Sequence, residues 1–170
     1  MLSQDQDTGA RPRQEEAGMA QLKAEPGAVL DPIERGPIQR PQIARFAAAT
    51  GDFNPIHCDE AFAQKVGFPS VIAHGPLPLA FLVQALGHNF GAENVRAVSA
   101  QFRAPVLPGD TLRVEGTVTE VMDLPTGRRV VCDLRVVRVA RPASSEGVPD
   151  TGSPVPPEVV VVGSGQAEIS

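Results

Sequence analysis

Two cysteines, Cys58 and Cys132, are all that 170 residues carry, and they lack the paired spacing of a metal site or disulfide framework. Free thiols of that kind fit a reducing compartment, so the expected location is cytoplasmic. Long apolar runs are equally scarce. The longest, residues 77–86, is interrupted by Pro78 and Gln84 and falls far short of the roughly 20 residues that span a bilayer. The N-terminus has no apolar core of signal-peptide length, so a soluble protein with no membrane partner is expected. Basic clusters are missing too. A formal net charge of −5 argues against nucleic acid or an anionic membrane surface as partner. No internal repeat is visible. With 42% hydrophobic and 21% charged residues the composition is that of an ordinary globular protein, and the length fits one core rather than two.

Residues 1–28 mix charges and small residues without periodicity, which predicts a flexible N-terminal tail ahead of a single domain at 29–170. Within that domain residues 29–39 read as a short strand or extended lead-in. Pro41 then suits the first turn of a helix carrying Ile43, Phe46 and Ala47 on one face, with Gly51 ending it. A second helix is expected from Asp59 to Gly67 with Ala61, Phe62 and Val66 as its apolar positions. The third, residues 76–89, is apolar around nearly its whole circumference, which predicts a buried helix. After it the period changes to two. Val98, Ala100 and Phe102 alternate with polar residues, as do Leu112, Val114 and Val118, and then Cys132, Leu134 and Val136. Residues 159–162 form a continuous apolar run, suited to a strand covered on both sides or at an interface. Turns of hairpin length are expected at 105–110 and 125–127, and the Pro-, Ser- and Gly-rich stretch at about 141–157 reads as a long mobile loop. The fold class is therefore α+β, a curved antiparallel sheet wrapped around a long central helix.

Chemistry concentrates at residues 50–62, where Asp52, Asn54 and His57 share a turn-forming backbone flanked by Gly51 and Pro55. A carboxylate beside an imidazole is a common means of moving a proton through a bound water. Asp52 and Asn54 taken alone are equally good Asx-turn formers. A metal is not expected at His57, because no second histidine stands at ligand spacing. His74 reads as a packing residue at a helix start.

Three stretches together carry a resemblance: Thr-Gly-Asp-Phe-Asn-Pro-Ile-His at 50–57, Val-Ile-Ala-His-Gly at 71–75, and Phe-Arg-Ala-Pro-Val at 102–106. Over about residues 35–120 the chain resembles the MaoC-like (R)-specific enoyl-thioester hydratases and dehydratases. That resemblance implies a hot-dog fold, and reversible hydration of trans-2-enoyl thioesters of coenzyme A or acyl carrier protein to (R)-3-hydroxyacyl thioesters, without a cofactor or metal. It implies a homodimer, or a heterodimer with a related hot-dog chain. Asp52 and His57 would hold the water between them, with Asp52 the base. The Gly75 amide would form the oxyanion hole at the start of the central helix, and Asn54 would brace the loop. Two positions depart from the family pattern: Pro76, where a non-proline residue is commoner, and Val83, where some members carry a serine. Two other functions share the fold, an acyl thioesterase and a non-catalytic partner subunit of a heteromeric dehydratase.

Overall fold

Proline, glycine and short polar residues set the helix boundaries. Pro41 lies in the first turn of α1 (Arg40–Thr50), and Gly51 closes it in the left-handed conformation at φ 73°. Asn54 and Asp59 then cap two short helices, α2 (Pro55–Cys58) and α3 (Glu60–Lys65), each with a side-chain oxygen accepting a backbone amide. Pro76 starts α4 (Pro76–Phe90), the longest helix described. The structure, a computed structural model, describes residues 24–141 and 157–170.

Five strands form one antiparallel sheet in the order β1-β3-β4-β5-β2. They are β1 (Ile33–Arg35), β2 (Val95–Phe102), β3 (Thr111–Leu124), β4 (Gly127–Ala140) and β5 (Glu158–Ile169). The period-two pattern explains their faces. Leu112, Val114, Val118, Cys132, Leu134 and Val136 are all buried, and they join Phe81, Leu82, Leu86 and Phe90 of α4 in one core. Burying each of the larger of these side chains contributes on the order of 1.5–3 kcal/mol. The apolar run at 159–162 has a separate cause. A register shift opposite Val136 and Val137 lets Val160 and Val161 both be buried, because a bulge breaks strict alternation in a strand that lies between β4 and β2.

Several expectations need correction. Residues 1–23 of the predicted tail lie outside the described residues, but residues 24–28 are tied to β3: Ala24 is buried, the Gly27 amide donates to the Val118 carbonyl and the Val118 amide donates to the Ala28 carbonyl. The ordered domain therefore begins before Val29. Of the predicted loop at 141–157, only its two end residues are described. In α3 the buried residue is Ala63, whereas Phe62 and Val66 are exposed; a six-residue helix is oriented by its cap and its ion pairs more than by its apolar content. The central helix is not covered all round in the single chain either, since Pro76, Val83 and Gln84 face outward. Finally, residues 103–110 do not make a hairpin, because β2 pairs with β5 and not with β3. This connection crosses the end of the sheet, accepting and donating hydrogen bonds at Val160 and Arg138 on the way. Of the two expected turns, the one between β3 and β4 at Pro125 and Thr126 is a tight hairpin.

Candidate active site

Local backbone chemistry brings Asp52 and His57 together. Thr50 returns its hydroxyl to the Phe46 carbonyl at 2.8 Å, Gly51 reverses the chain, and the Asn54 amide then donates to Asp52 Oδ1 at 3.2 Å. Asn54 Oδ1 in turn accepts the Ile56 amide at 3.2 Å, which fixes the start of α2 and aims His57 inward. One oxygen of Asp52 is thus committed to the loop. The other, Oδ2, lies 3.8 Å from His57 Nε2. The imidazole is buried, while the carboxylate is about half exposed, at 52%.

The tautomer of His57 follows from its other nitrogen. Nδ1 sits 2.8 Å from the Ile72 carbonyl, and because a carbonyl only accepts, Nδ1 carries the hydrogen. In the neutral ring Nε2 is then a bare lone pair facing a carboxylate oxygen. Two acceptors 3.8 Å apart suit a single water that donates one hydrogen to each at lengths of about 2.7–3.0 Å.

His74 contributes more than packing. It is buried, stacks on His57 with ring centroids 3.7 Å apart, and donates from Nε2 to the Asp52 carbonyl at 2.9 Å. Phe46 lies against its other surroundings at 5.2 Å. One ring therefore braces both members of the pair. Its position seventeen residues after His57 gave no helical or strand periodicity that would place it there; only the tertiary turn at 70–74 does so. Asp52, His57 and His74 also have ligating atoms within 4.8 Å of one another. Two of the ring nitrogens are already engaged, His57 Nδ1 with the Ile72 carbonyl and His74 Nε2 with the Asp52 carbonyl.

Gly75 directly follows His74 at the N-terminus of α4. Among the described residues its amide donates to no acceptor, and the following Pro76 has no amide hydrogen to compete with it. A Cβ at this position would lie 3.2 Å from the Phe102 ring, so glycine permits the ring to cover the turn. Phe102, expected on a half-buried face, is 53% exposed beside it. Val83 is exposed on α4 and supplies no contact to Asp52 of the kind a serine hydroxyl would; the Asn54 amide holds that carboxylate instead. A cavity of about 1070 Å³ lies elsewhere. It is lined by strand residues such as Ser99, Glu115, Asp133 and Ser164, and it includes none of Asp52, His57, His74 or Gly75. Among the described residues no helix is long and apolar enough to cross a membrane.

Comparison with known proteins bears on the family and the fold. Residues 21–139 match the family model described as a MaoC like domain. The chain is 34% identical over 112 residues to peroxisomal multifunctional enzyme type 2 of Drosophila melanogaster, an alignment spanning 58% of this chain and 19% of that protein. It is 33% identical over 109 residues to 3-hydroxybutyryl-CoA dehydratase of Methylorubrum extorquens, spanning 63% of this chain and 69% of the relative. Among solved structures, the unliganded R-hydratase PhaJ1 from Pseudomonas aeruginosa superposes with a TM-score of 0.63 at 28% identity, covering 86% of this chain and 83% of that one. A sheet curled over one long helix is the hot-dog fold those hydratases share, and with more than half its length matched, this chain belongs to the MaoC-like domain family.

Proposed function

We propose that the protein is a hydro-lyase that interconverts trans-2-enoyl thioesters and (R)-3-hydroxyacyl thioesters. The observation that carries this reading is the pair of acceptors, Asp52 Oδ2 and His57 Nε2, 3.8 Å apart, with the Gly75 amide, which donates to no acceptor among the described residues, next in the chain to the His74 that stacks on His57. A water donating to both acceptors presents its own lone pair outward. That lone pair forms the new C–O bond at the β-carbon while Asp52 takes the proton. The electrons of the double bond move toward the thioester oxygen, where the Gly75 amide stabilises the charge in a preorganised position. A proton returned to the α-carbon, with His57 sharing its transfer, completes the addition. Dehydration is the same path reversed.

Coenzyme A is the carrier we favour, because relatives named for CoA substrates align over 63% and 48% of this chain, with acyl carrier protein as the alternative. We also read the active form as a dimer, a homodimer or a heterodimer with a related hot-dog chain. Phe53, next to Asp52 in the chain, Phe102, beside Gly75, and Val83 on α4 are exposed apolar residues that a second chain would cover. Two unpaired thiols, Cys58 exposed and Cys132 buried, support a reducing compartment such as the cytoplasm.

The test is hydration of crotonyl-CoA by the purified protein, followed at the loss of enoyl absorbance, with the chirality of the product determined. Asp52→Asn and His57→Ala should each lower the rate by about a hundredfold or more while circular dichroism stays unchanged. Cleavage of the thioester in place of hydration would favour a thioesterase. Full activity in both variants would sink the mechanism.

A further inference from the structure

We propose that Glu60 is a positioning residue for His57, acting through the turn at 70–72 to hold its imidazole in the Nδ1–H tautomer. The inference rests on the hydratase reading for its catalytic consequence, but its structural half stands on hydrogen bonds alone. Glu60 is the first residue of α3, the element that follows the one carrying His57, and its hydrogen bonds go to Arg40, Ser70 and Val71, not to Asp52 or His57. Its Oε2 gathers three donors: Arg40 Nη2 at 2.9 Å, the Ser70 hydroxyl at 3.2 Å and the Val71 amide at 3.2 Å. Ser70 and Val71 are both buried. One carboxylate oxygen therefore ties the first turns of α1 and α3 to the start of the turn that precedes α4.

The next peptide units carry the effect onward. Ile72 donates its amide to the Ile56 carbonyl at 3.0 Å and accepts His57 Nδ1–H at 2.8 Å on its own carbonyl. The Ala73 amide, in the same peptide group as that carbonyl, donates to Val106 at 2.8 Å. A peptide whose N–H is engaged is polarised so that its carbonyl accepts more strongly. His57 is thus oriented by a neutral carbonyl rather than by a carboxylate. That carbonyl has no charge of its own to hold the ring, so its placement must come from the residues that pin the turn. Glu60 pins it on one side and Val106 on the other. If the turn relaxed, Nδ1–H would lose its acceptor, and the competing tautomer would put a hydrogen on Nε2. Nε2 could then no longer accept from the catalytic water.

Geometry and charge of Glu60 can be separated. Its other oxygen, Oε1, is buried and receives no donor among the described residues, so a glutamine can place its amide nitrogen there and keep its oxygen on the three donors. Glu60→Ala removes the anchor altogether. Nitrogen-15 NMR of the imidazoles reads the tautomer without turnover, and steady-state hydration reads the consequence. In Glu60→Ala we expect His57 to lose its pure Nδ1–H signature, and kcat to fall about tenfold or more with KM within about threefold. Glu60→Gln should restore both readouts to near the parent values. Should Glu60→Ala fail to fold, Ser70→Ala together with Glu60→Asp carries the same test, each expected to shift the tautomer in part. An unchanged His57 signature in the folded variants overturns the proposal, and so does a kcat loss that glutamine does not rescue. A shifted tautomer in a protein whose Asp52→Asn variant is fully active would leave the positioning intact and refute the hydratase reading instead.

Discussion

At the scale of single residues, the site depends on which atom of each polar group is already occupied. Asp52 Oδ1 belongs to the Asn54 amide, His57 Nδ1 to Ile72 and His74 Nε2 to the Asp52 carbonyl, so that Asp52 Oδ2 and His57 Nε2 are what remains. Glu60 supplies a measurable pH consequence. Burial acts to raise its carboxyl pKa, but the hydrogen bonds from Arg40, Val71 and Ser70 with the Arg40 charge prevail, and the net shift is below the ordinary 4.5. A carboxyl depressed on folding stabilises the native state above its unfolded pKa, and that contribution is lost as pH falls through the folded value. Urea midpoints measured from about pH 5 down to pH 3 should therefore drop more steeply for the parent protein than for Glu60→Gln. Parallel slopes would show that the Arg40–Glu60–Ser70 cluster contributes nothing through its charge.

At the scale of elements, the close approach of α4 to the sheet depends on small residues in β5. A Cβ on Gly163 would lie 2.4 Å from the Ser99 carbonyl of β2 and 3.0 Å from Leu82, and one on Gly165 would lie 2.4 Å from Leu86. Leu82 and Leu86 are fully buried on the face of α4 that these glycines receive. Gly163→Ala must therefore displace backbone as well as side chain. We expect a loss of about 1–3 kcal/mol in chemical denaturation and faster amide exchange in β2, which among the described residues pairs only with β5. Exchange rates in β2 equal to those of the parent would contradict this account. Another element is fixed by buried charge. Asp110 accepts Arg138 Nε and the Leu107 amide, each at 2.9 Å, and also pairs with Arg141, while Arg138 reaches Pro105 and Glu158. This cluster holds the crossing connection at 103–110, whose Val106 carbonyl receives Ala73 beside the active-site turn.

At the scale of the whole molecule, one sheet covers one side of α4 and leaves the other partly in solvent. Val83 is 42% exposed on a helix otherwise rich in buried apolar residues, and Phe53 and Phe102 are more exposed still. A second chain over that side would shield the half-exposed Asp52 and exclude competing water. Light scattering on the eluting peak should accordingly give about twice the 17.9 kDa chain mass, and Val83→Glu should weaken the association. A monomer at micromolar concentration with full hydratase activity would rule out a partner's part in the site.

The sequence by itself determined most of the elements and the grouping of Asp52, Asn54 and His57 on one loop, because these are local properties. Pro41, Gly51, Asn54 and Asp59 mark their helix ends through backbone conformation and capping; the strands announce themselves by alternation; and Asp52, Asn54 and His57 share one loop whose hydrogen bonds span only a few residues. Contacts between distant segments were decided by the tertiary structure. No periodicity indicates that residues 103–110 cross the sheet, that Phe62 faces solvent while Ala63 is buried, or that His74 lies flat on His57. The tautomer of His57 is of the same kind. It is set by a carbonyl fifteen residues away, held in turn by Glu60 and Val106, and these partners meet only once helix, turn and sheet have packed.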